Sequence, residues 1–266
     1  AKRTPGTVER APILREIFSF LDLTSLNTSD SDATIRSFAE RTAQFGYHYH
    51  DISNVAALCV YPNFAKVAHE ELGGCGVRLA VVAASFPTAQ TFTEVKILET
   101  SMAVRMGADE IDVVIPVGTF LKGDLDAVID ELKAIREAAG ETTLKVILET
   151  GLLKDERNIY RASIIAMESG ADFVKTSTGK SSVSATPEAA WVICRAIRDY
   201  YNETGIMIGF KPAGGIVTPD DAIIYYLIVR NMLGAKWLTP DYFRIGASRL
   251  ANNILTELYP GKPAYF

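Results

Sequence analysis

The chain has 266 residues, 48% of them hydrophobic and 22% charged, with three cysteines and a formal net charge of -5. The length is near the ~250 residues typical of a single α/β barrel, and the composition is that of a folded domain with a large core, which excludes a disordered or fibrous protein. The acidic balance excludes a general attraction to nucleic acid or anionic membrane, so a phosphate held here needs a local site and the expected partner is a small anion.

Cys59, Cys75 and Cys194 are odd in number, far apart and outside any C-x-x-C, which argues against a disulfide framework or a zinc site. Neither an apolar leader nor a run of 18 apolar residues occurs. A reducing cytoplasm with no membrane anchor is the expected location.

Taken in order, the chain opens with a helix expected over 8–17. Strands are then predicted near 18–23, 56–60, 78–83, 110–115, 144–148, 173–176, 207–211 and 242–245. Helical periodicity fills the intervals, as over 33–45, 93–106, 125–138, 187–200 and 219–232. Thr186-Pro187 and Thr218-Pro219 each place a Thr N-cap before Pro at the first helical position. A weak repeat runs through Gly107-Ala-Asp109, Gly170-Ala-Asp172 and Gly234-Ala-Lys236, spaced 63 and 64 residues apart, each ending a helix before a strand. Eight βα units predict one α/β domain over 1–266, a (β/α)8 TIM barrel with an extra N-terminal helix and a short C-terminal tail at 259–266. An open doubly wound sheet is the alternative, disfavoured because the first βα turn has no G-x-G-x-x-G.

Strand interiors in such a barrel are mostly branched and apolar, so charges inside them need a reason. Five are singled out near the middle or the carboxyl end of a strand: Asp22, Asp112, Lys145, Lys175 and Lys211. Any one alone reads equally well as an outward ion pair, because the period of two fixes alternation but not which side is inward. Asp112, Lys175 and Lys211 together favour a cluster on the barrel axis.

That cluster suits Schiff-base chemistry. At an ordinary pKa of about 10.4 a lysine is only ~0.04% neutral at pH 7, and desolvation with a second ammonium nearby raises that fraction. Lys175 is the expected nucleophile and Lys211 its like-charged neighbour. Asp112 is the expected proton relay through water, with Lys145 tuning its charge.

Three small-residue turns follow late strands: Thr178-Gly179-Lys180, Lys211-Pro-Ala-Gly214-Gly215 and Gly246-Ala-Ser248. Such loops either turn the chain or hold phosphate through backbone N–H groups, and three at adjacent strand ends favour an anion site. Gly179-Lys180-Ser181 is not a P-loop, because the first glycine would fall at Val174. His48-Tyr-His50-Asp51 reads as a wet loop rather than a metal site, His69 being the only other histidine. Cys59, ending the second strand, either faces the site or is a small buried hydrophobe.

The segments Leu21-Asp-Leu-Thr-Ser-Leu-Asn27, Cys59-Val-Tyr-Pro62, Gly107-Ala-Asp-Glu-Ile-Asp-Val-Val114, Leu144-Lys-Val-Ile-Leu-Glu-Thr-Gly151, Phe173-Val-Lys-Thr-Ser-Thr-Gly-Lys180 and Gly209-Phe-Lys-Pro-Ala-Gly-Gly215 closely resemble the 2-deoxyribose-5-phosphate aldolases. The resemblance covers about 18–258. It implies a class I aldolase with no metal or organic cofactor, cleaving 2-deoxy-D-ribose 5-phosphate reversibly to acetaldehyde and D-glyceraldehyde 3-phosphate in deoxyribonucleotide catabolism. It also implies a homodimer or a tetramer. Lys175 matches the Schiff-base lysine, Lys211 the lysine that perturbs it and Asp112 the relay acid; Asp22 and Lys145 fall at supporting positions and the glycine loops at the phosphate pocket. The chain departs from the family twice. A family tyrosine that assists proton transfer is matched by the penultimate Tyr265, and Arg249 stands where the phosphate motif commonly has a second serine, either adding charge to the phosphate or facing solvent. The lysine–acid cluster alone also fits a transaldolase or another sugar-phosphate aldolase, and the glycine loops alone fit a non-catalytic phosphate-binding barrel.

Overall fold

The computed structural model describes residues 10–266. Eight short strands, β1 (Leu21–Thr24), β2 (Ala57–Val60), β3 (Arg78–Val82), β4 (Glu110–Val114), β5 (Thr143–Ile147), β6 (Phe173–Lys175), β7 (Gly209–Lys211) and β8 (Ile245–Ala247), lie in the order 7-6-5-4-3-2-1-8. All pairings are parallel. The remaining seam is closed by bridges Phe210–Phe243 and Ala213–Gly246, with the Gly246 amide donating to the Pro212 carbonyl at 2.9 Å. A (β/α)8 barrel results, as the eight-unit count predicts.

The helices are α1 (Arg10–Ser19), α2 (Asp32–His48), α3 (Ala65–Leu72), α4 (Thr93–Arg105), α5 (Val117–Lys122), α6 (Leu125–Ala139), α7 (Glu156–Glu168), α8 (Pro187–Thr204), α9 (Pro219–Met232) and α10 (Arg249–Leu258). The two Thr-Pro signals act as expected: the Thr186 and Thr218 side chains accept from the amides of Ala189 and Asp221, with Pro in the first turn of α8 and α9. Strand residues alternate between the helical shell and the barrel axis. Leu58, Val81, Val113, Val146 and Val174 belong to the outer core beneath the helices, while Cys59, Ala80 and Val82 form a separate inner group.

Two strand starts lie three residues beyond the sequence reading, and the other strand ends shift by two residues or fewer. Phe18 is the last turn of α1, not the start of β1, and its ring stacks on Phe45 at 5.0 Å; an apolar run shared by a helix end and a strand start has no internal punctuation. The last strand begins at Ile245 rather than at 242, because the Phe243 ring packs into the core and only Gly246 and its neighbours pair fully with β1. Val8, expected in the leading helix, lies outside the described residues.

The 259–266 segment folds back along the outside of the barrel. Asn252 on α10 accepts from the amides of Tyr265 and Phe266 at 2.9 and 3.0 Å, and the Phe266 ring lies 5.8 Å from that of Phe45 on α2. Helix α4 is turned against expectation for a surface helix. Lys96 and Thr100 face inward, Lys96 paired with Glu131 at 2.7 Å, while Val95, Leu98 and Met102 face out. Among the described residues no helix is long and apolar enough to cross a membrane.

Candidate active site

Strand register brings the expected charges together. Asp112 pairs with Lys145 across β4 and β5, and Lys175 with Lys211 across β6 and β7, so side chains of one parity converge on the axis. Asp112 is the hub. Its Oδ2 accepts from Lys175 Nζ at 2.6 Å and from Lys211 Nζ at 2.7 Å, and its Oδ1 from Lys145 Nζ at 3.0 Å. Lys211 also pairs closely with Asp22, and Lys145 reaches Asp22 at 3.2 Å. All five side chains are buried.

Two further charges complete the cluster and were not among the sequence candidates. Arg244 forks onto Glu110 at 2.6 and 3.1 Å and donates to Asp22 at 2.7 Å; Glu110 also takes Lys145 at 2.5 Å. Both have a sequence signal. Glu110 sits two residues before Asp112 and Arg244 two before Gly246, so each shares the inward parity of a residue already singled out.

Contact number separates the lysines. Burial disfavours the ammonium of Lys175, Asp112 opposes that and Lys211 reinforces it, and the net effect lowers its proton affinity below the ordinary lysine value. For Lys211 burial acts in the same sense, but Asp112 and Asp22 outweigh it and the affinity is raised. Lys145 is likewise raised, its burial overcome by Asp112, Asp22 and Glu110. Burial would favour the neutral form of Asp112, yet Lys145, Lys175 and Lys211 hold it well below the usual carboxylate range. The easily lost proton is therefore on Lys175. Desolvation is the larger cause, and the like-charged Lys211 the smaller one.

Lys175 is also the one buried lysine of the cluster that lines a cavity of about 260 Å³ at the carboxyl ends of the strands. The three glycine turns form its wall: Thr178, Gly179, Lys180, Gly214, Gly215, Gly246, Ser248 and Arg249 all line it, with Thr24 and Asn27, which sequence reasoning missed. A Cβ on Gly214 would come within 2.6 Å of the Ser184 hydroxyl and 2.9 Å of Gly179, so the close approach of the two loops requires glycine at 214. Gly179, Gly214 and Gly215 have positive φ. Ser248 makes no side-chain cap to the first-turn amides of α10, and Ser248 and Arg249 at that end of the helix line the cavity.

Some expected contacts take another form. Gly246 contributes by lacking a side chain, since its amide donates to Pro212 across the seam. The Thr178 hydroxyl donates to Glu149 at 2.5 Å, so it shapes the loop and is not a free donor to an anion. Lys180 Nζ donates to the Leu26 carbonyl at 2.5 Å and braces the loop after β1. Cys59 packs with Leu26, Ala57, Ala80 and Val82 inside the barrel and does not line the cavity; burial pushes its thiol up.

Tyr265, expected at the site, is not brought to it. Its hydroxyl donates to the Arg41 carbonyl at 2.8 Å in the second half of α2, and its ring packs edge-on to Phe45 and Tyr49. An aromatic groove outside the barrel holds it there. Among the described residues no group of three or more His, Cys, Asp or Glu side chains is arranged to hold a metal ion.

A lysine of lowered proton affinity on a buried acid, at the mouth of a (β/α)8 barrel and beside a pocket walled by glycine turns, defines an aldolase of the barrel class. The chain belongs to the DeoC/LacD family of aldolases, whose model matches residues 19–231. It is 42% identical to the deoxyribose-phosphate aldolase of Homo sapiens, over 97% of this chain and 85% of that one. It is also 42% identical to the deoxyribose-phosphate aldolase of Agrobacterium fabrum, over 92% of each. Among solved structures it is similar to the aldolase QR15, with TM-score 0.73 and 28% identity over 92% of this chain and 99% of that one. The tetrameric deoxyribose phosphate aldolase of Aeropyrum pernix shares the fold, with TM-score 0.71 and 22% identity over 94% of this chain and 96% of that one.

Proposed function

We propose that this chain cleaves 2-deoxy-D-ribose 5-phosphate reversibly to acetaldehyde and D-glyceraldehyde 3-phosphate through a Schiff base on Lys175, a step of deoxyribonucleotide breakdown. The observation that carries it is the position of Lys175, on the hub acid at 2.6 Å and lining the same cavity as the three glycine turns. The neutral amine adds to the aldehyde carbon of the open-chain sugar, and loss of water leaves an iminium. A base takes the proton of the C3 hydroxyl, the electrons of the C2–C3 bond move into the iminium, and glyceraldehyde 3-phosphate departs from the resulting enamine. Protonation of the enamine at C2 and hydrolysis release acetaldehyde and restore Lys175. Asp112 is proposed to relay these protons through water, Lys211 to hold it ionised, and Asp22 and Lys145 to fix both from below.

The substrate phosphate is assigned to the amides of Gly179, Gly214 and Gly215 and the start of α10, with Ser248, Lys180 and Arg249 at the rim. We propose that neither metal nor organic cofactor takes part. Three buried carboxylates already engaged by four buried cations leave no free ligand set, and the iminium itself is the electron sink. The three free cysteines fit a reducing compartment such as the cytoplasm. A homodimer is proposed, with the outward apolar side of α4 and the groove it forms with Pro62 and Asn63 as the contact between copies; a tetramer would need a second contact.

Borohydride reduction in the presence of acetaldehyde, followed by peptide mass analysis, tests the mechanism. The expected result is a reduced adduct on Lys175, absent in Lys175→Leu. An unmodified Lys175 under turnover conditions would refute the Schiff base. A trapped enzyme that fails to cleave deoxyribose 5-phosphate in a coupled assay would point to a transaldolase or another sugar-phosphate aldolase.

A further inference from the structure

Beneath the reacting lysine lies a charge pair that touches neither the cavity nor the proposed relay. Arg244 and Glu110 face each other across the barrel axis in a forked contact, with both side chains fully buried. Arg244 also holds Asp22 Oδ1, the oxygen that Lys145 and Lys211 leave free, and Glu110 also holds Lys145. Arg78 approaches Glu110 at 3.4 Å from the rim opposite the cavity, but its side chain is 42% exposed and its charge is screened.

The cluster then contains three buried carboxylates, Asp22, Glu110 and Asp112, and four buried cations, Lys145, Lys175, Lys211 and Arg244. A surplus charge in such an interior is costly, so the favoured state is the one in which a single cation has lost its proton. Arginine does not give one up. Of the lysines, Lys145 touches three carboxylates, Lys211 two and Lys175 one, so the loss falls on Lys175. The count of charges, and not only the neighbour Lys211, makes the nucleophile.

We propose that Glu110 and Arg244 are positioning residues that set the proton affinity of Lys175 from below, Arg244 as the uncompensated cation that drives its proton off and Glu110 as the acid that limits the effect. The other groups around Lys175 are Asp112 on β4, Lys211 on β7 and Cys59 on β2, with Asp22 on β1 and Lys145 on β5 behind them and the Phe86 ring 6.0 Å from the ammonium. The inference has its own readout, independent of the aldolase reading. Cyanate carbamylates only the neutral amine, and its rate at Lys175 can be followed by peptide mass analysis across pH with no substrate present.

Three variants are decisive. Arg244→Met leaves three acids against three lysines, so Lys175 keeps its proton and labelling at neutral pH slows at least tenfold, recovering at higher pH. Glu110→Gln leaves two acids against four cations and moves the labelling profile to lower pH. The double variant, with two acids and three cations, restores the surplus of one and returns the profile toward wild type. Arg244→Lys preserves the charge and keeps the profile in place, which separates charge from packing, and melting curves establish that each variant is folded. The proposal is overturned if the single variants move the profile in the same direction, if neither moves it, or if Arg244→Lys shifts it as Arg244→Met does. A wild-type enzyme that forms no borohydride-trapped adduct would instead count against the aldolase reading alone.

Discussion

Replacing Lys211 by Met keeps the chain length and removes the charge, and the structure gives the size of the effect. Lys175 and Lys211 meet the same oxygen, Asp112 Oδ2, at 2.6 and 2.7 Å, so their nitrogens are no further apart than about 5.3 Å, those contacts laid end to end. At that distance and an effective dielectric near 20, their repulsion is about 3 kcal/mol. Its loss favours protonated Lys175, and so does the release of Asp112 and Asp22 to hold the remaining ammonium. Both effects have one sign. The neutral fraction of Lys175 at neutral pH should fall on the order of a hundredfold, and kcat/KM with it. Because the proton is held more tightly, the rising limb of the pH–rate profile should move to higher pH, where part of the activity returns. The assay is cleavage of deoxyribose 5-phosphate, coupled to reduction of glyceraldehyde 3-phosphate, from pH 6 to pH 10. A rate loss with an unmoved limb would refute the electrostatic account and leave Lys211 a role in contacting substrate.

Arg249, exposed at the cavity rim and without an ion-pair partner among the described residues, should add about 1 kcal/mol to phosphate binding. Arg249→Ser should raise KM for the phosphorylated sugar by roughly five- to tenfold with kcat little changed, and the difference should shrink in high salt. Deleting Tyr265 and Phe266 removes two partly buried rings and the hydrogen bonds to Asn252, which should cost roughly 2 kcal/mol in thermal or denaturant unfolding. Turnover and proton exchange at the acetaldehyde methyl should be unaffected, and a selective loss of exchange would show that the tail visits the site. Leu98→Glu places a charge on the outward face of α4, where the native side chain is 56% exposed, and should convert a dimer to monomer in light scattering without lowering the melting temperature of the monomer.

What was legible in the sequence was the part with a period or a punctuation mark. Strand count, barrel closure and the glycine loops follow from alternation and from Gly at turn positions, and Asp22, Asp112, Lys145, Lys175 and Lys211 stand out because charge inside an apolar strand is rare. Glu110 escaped notice because it opens its strand, where a charge looks solvated, and Arg244 because a lone charge in the short run 242–245 does not show which way it faces. Only tertiary closure shows that the strand tilt carries them to the axis. Thr178 and Glu149 illustrate another gap, since a hydroxyl beside a glycine reads as a ligand until its partner, 29 residues earlier in the chain, is seen to hold it. Tyr265 shows that a resemblance in sequence order does not transfer a position in space. Two rings rather than one end this chain, and an aromatic groove on α2 accommodates both.

Gly246 joins two otherwise separate properties of the molecule. A Cβ there would come within 2.8 Å of Ala213 across the β7–β8 seam and within 3.2 Å of Cε of Lys211. The tightness of the closing seam and the placement of a lysine against Asp112 therefore share one hydrogen atom's width of space. For anyone diversifying the enzyme toward unphosphorylated aldehydes, the practical boundary falls two residues later, at Ser248. Substitutions at Ser248 and Arg249 can reshape the rim, whereas a library that includes Gly246 would lose its members to misplaced chemistry before selectivity could be scored.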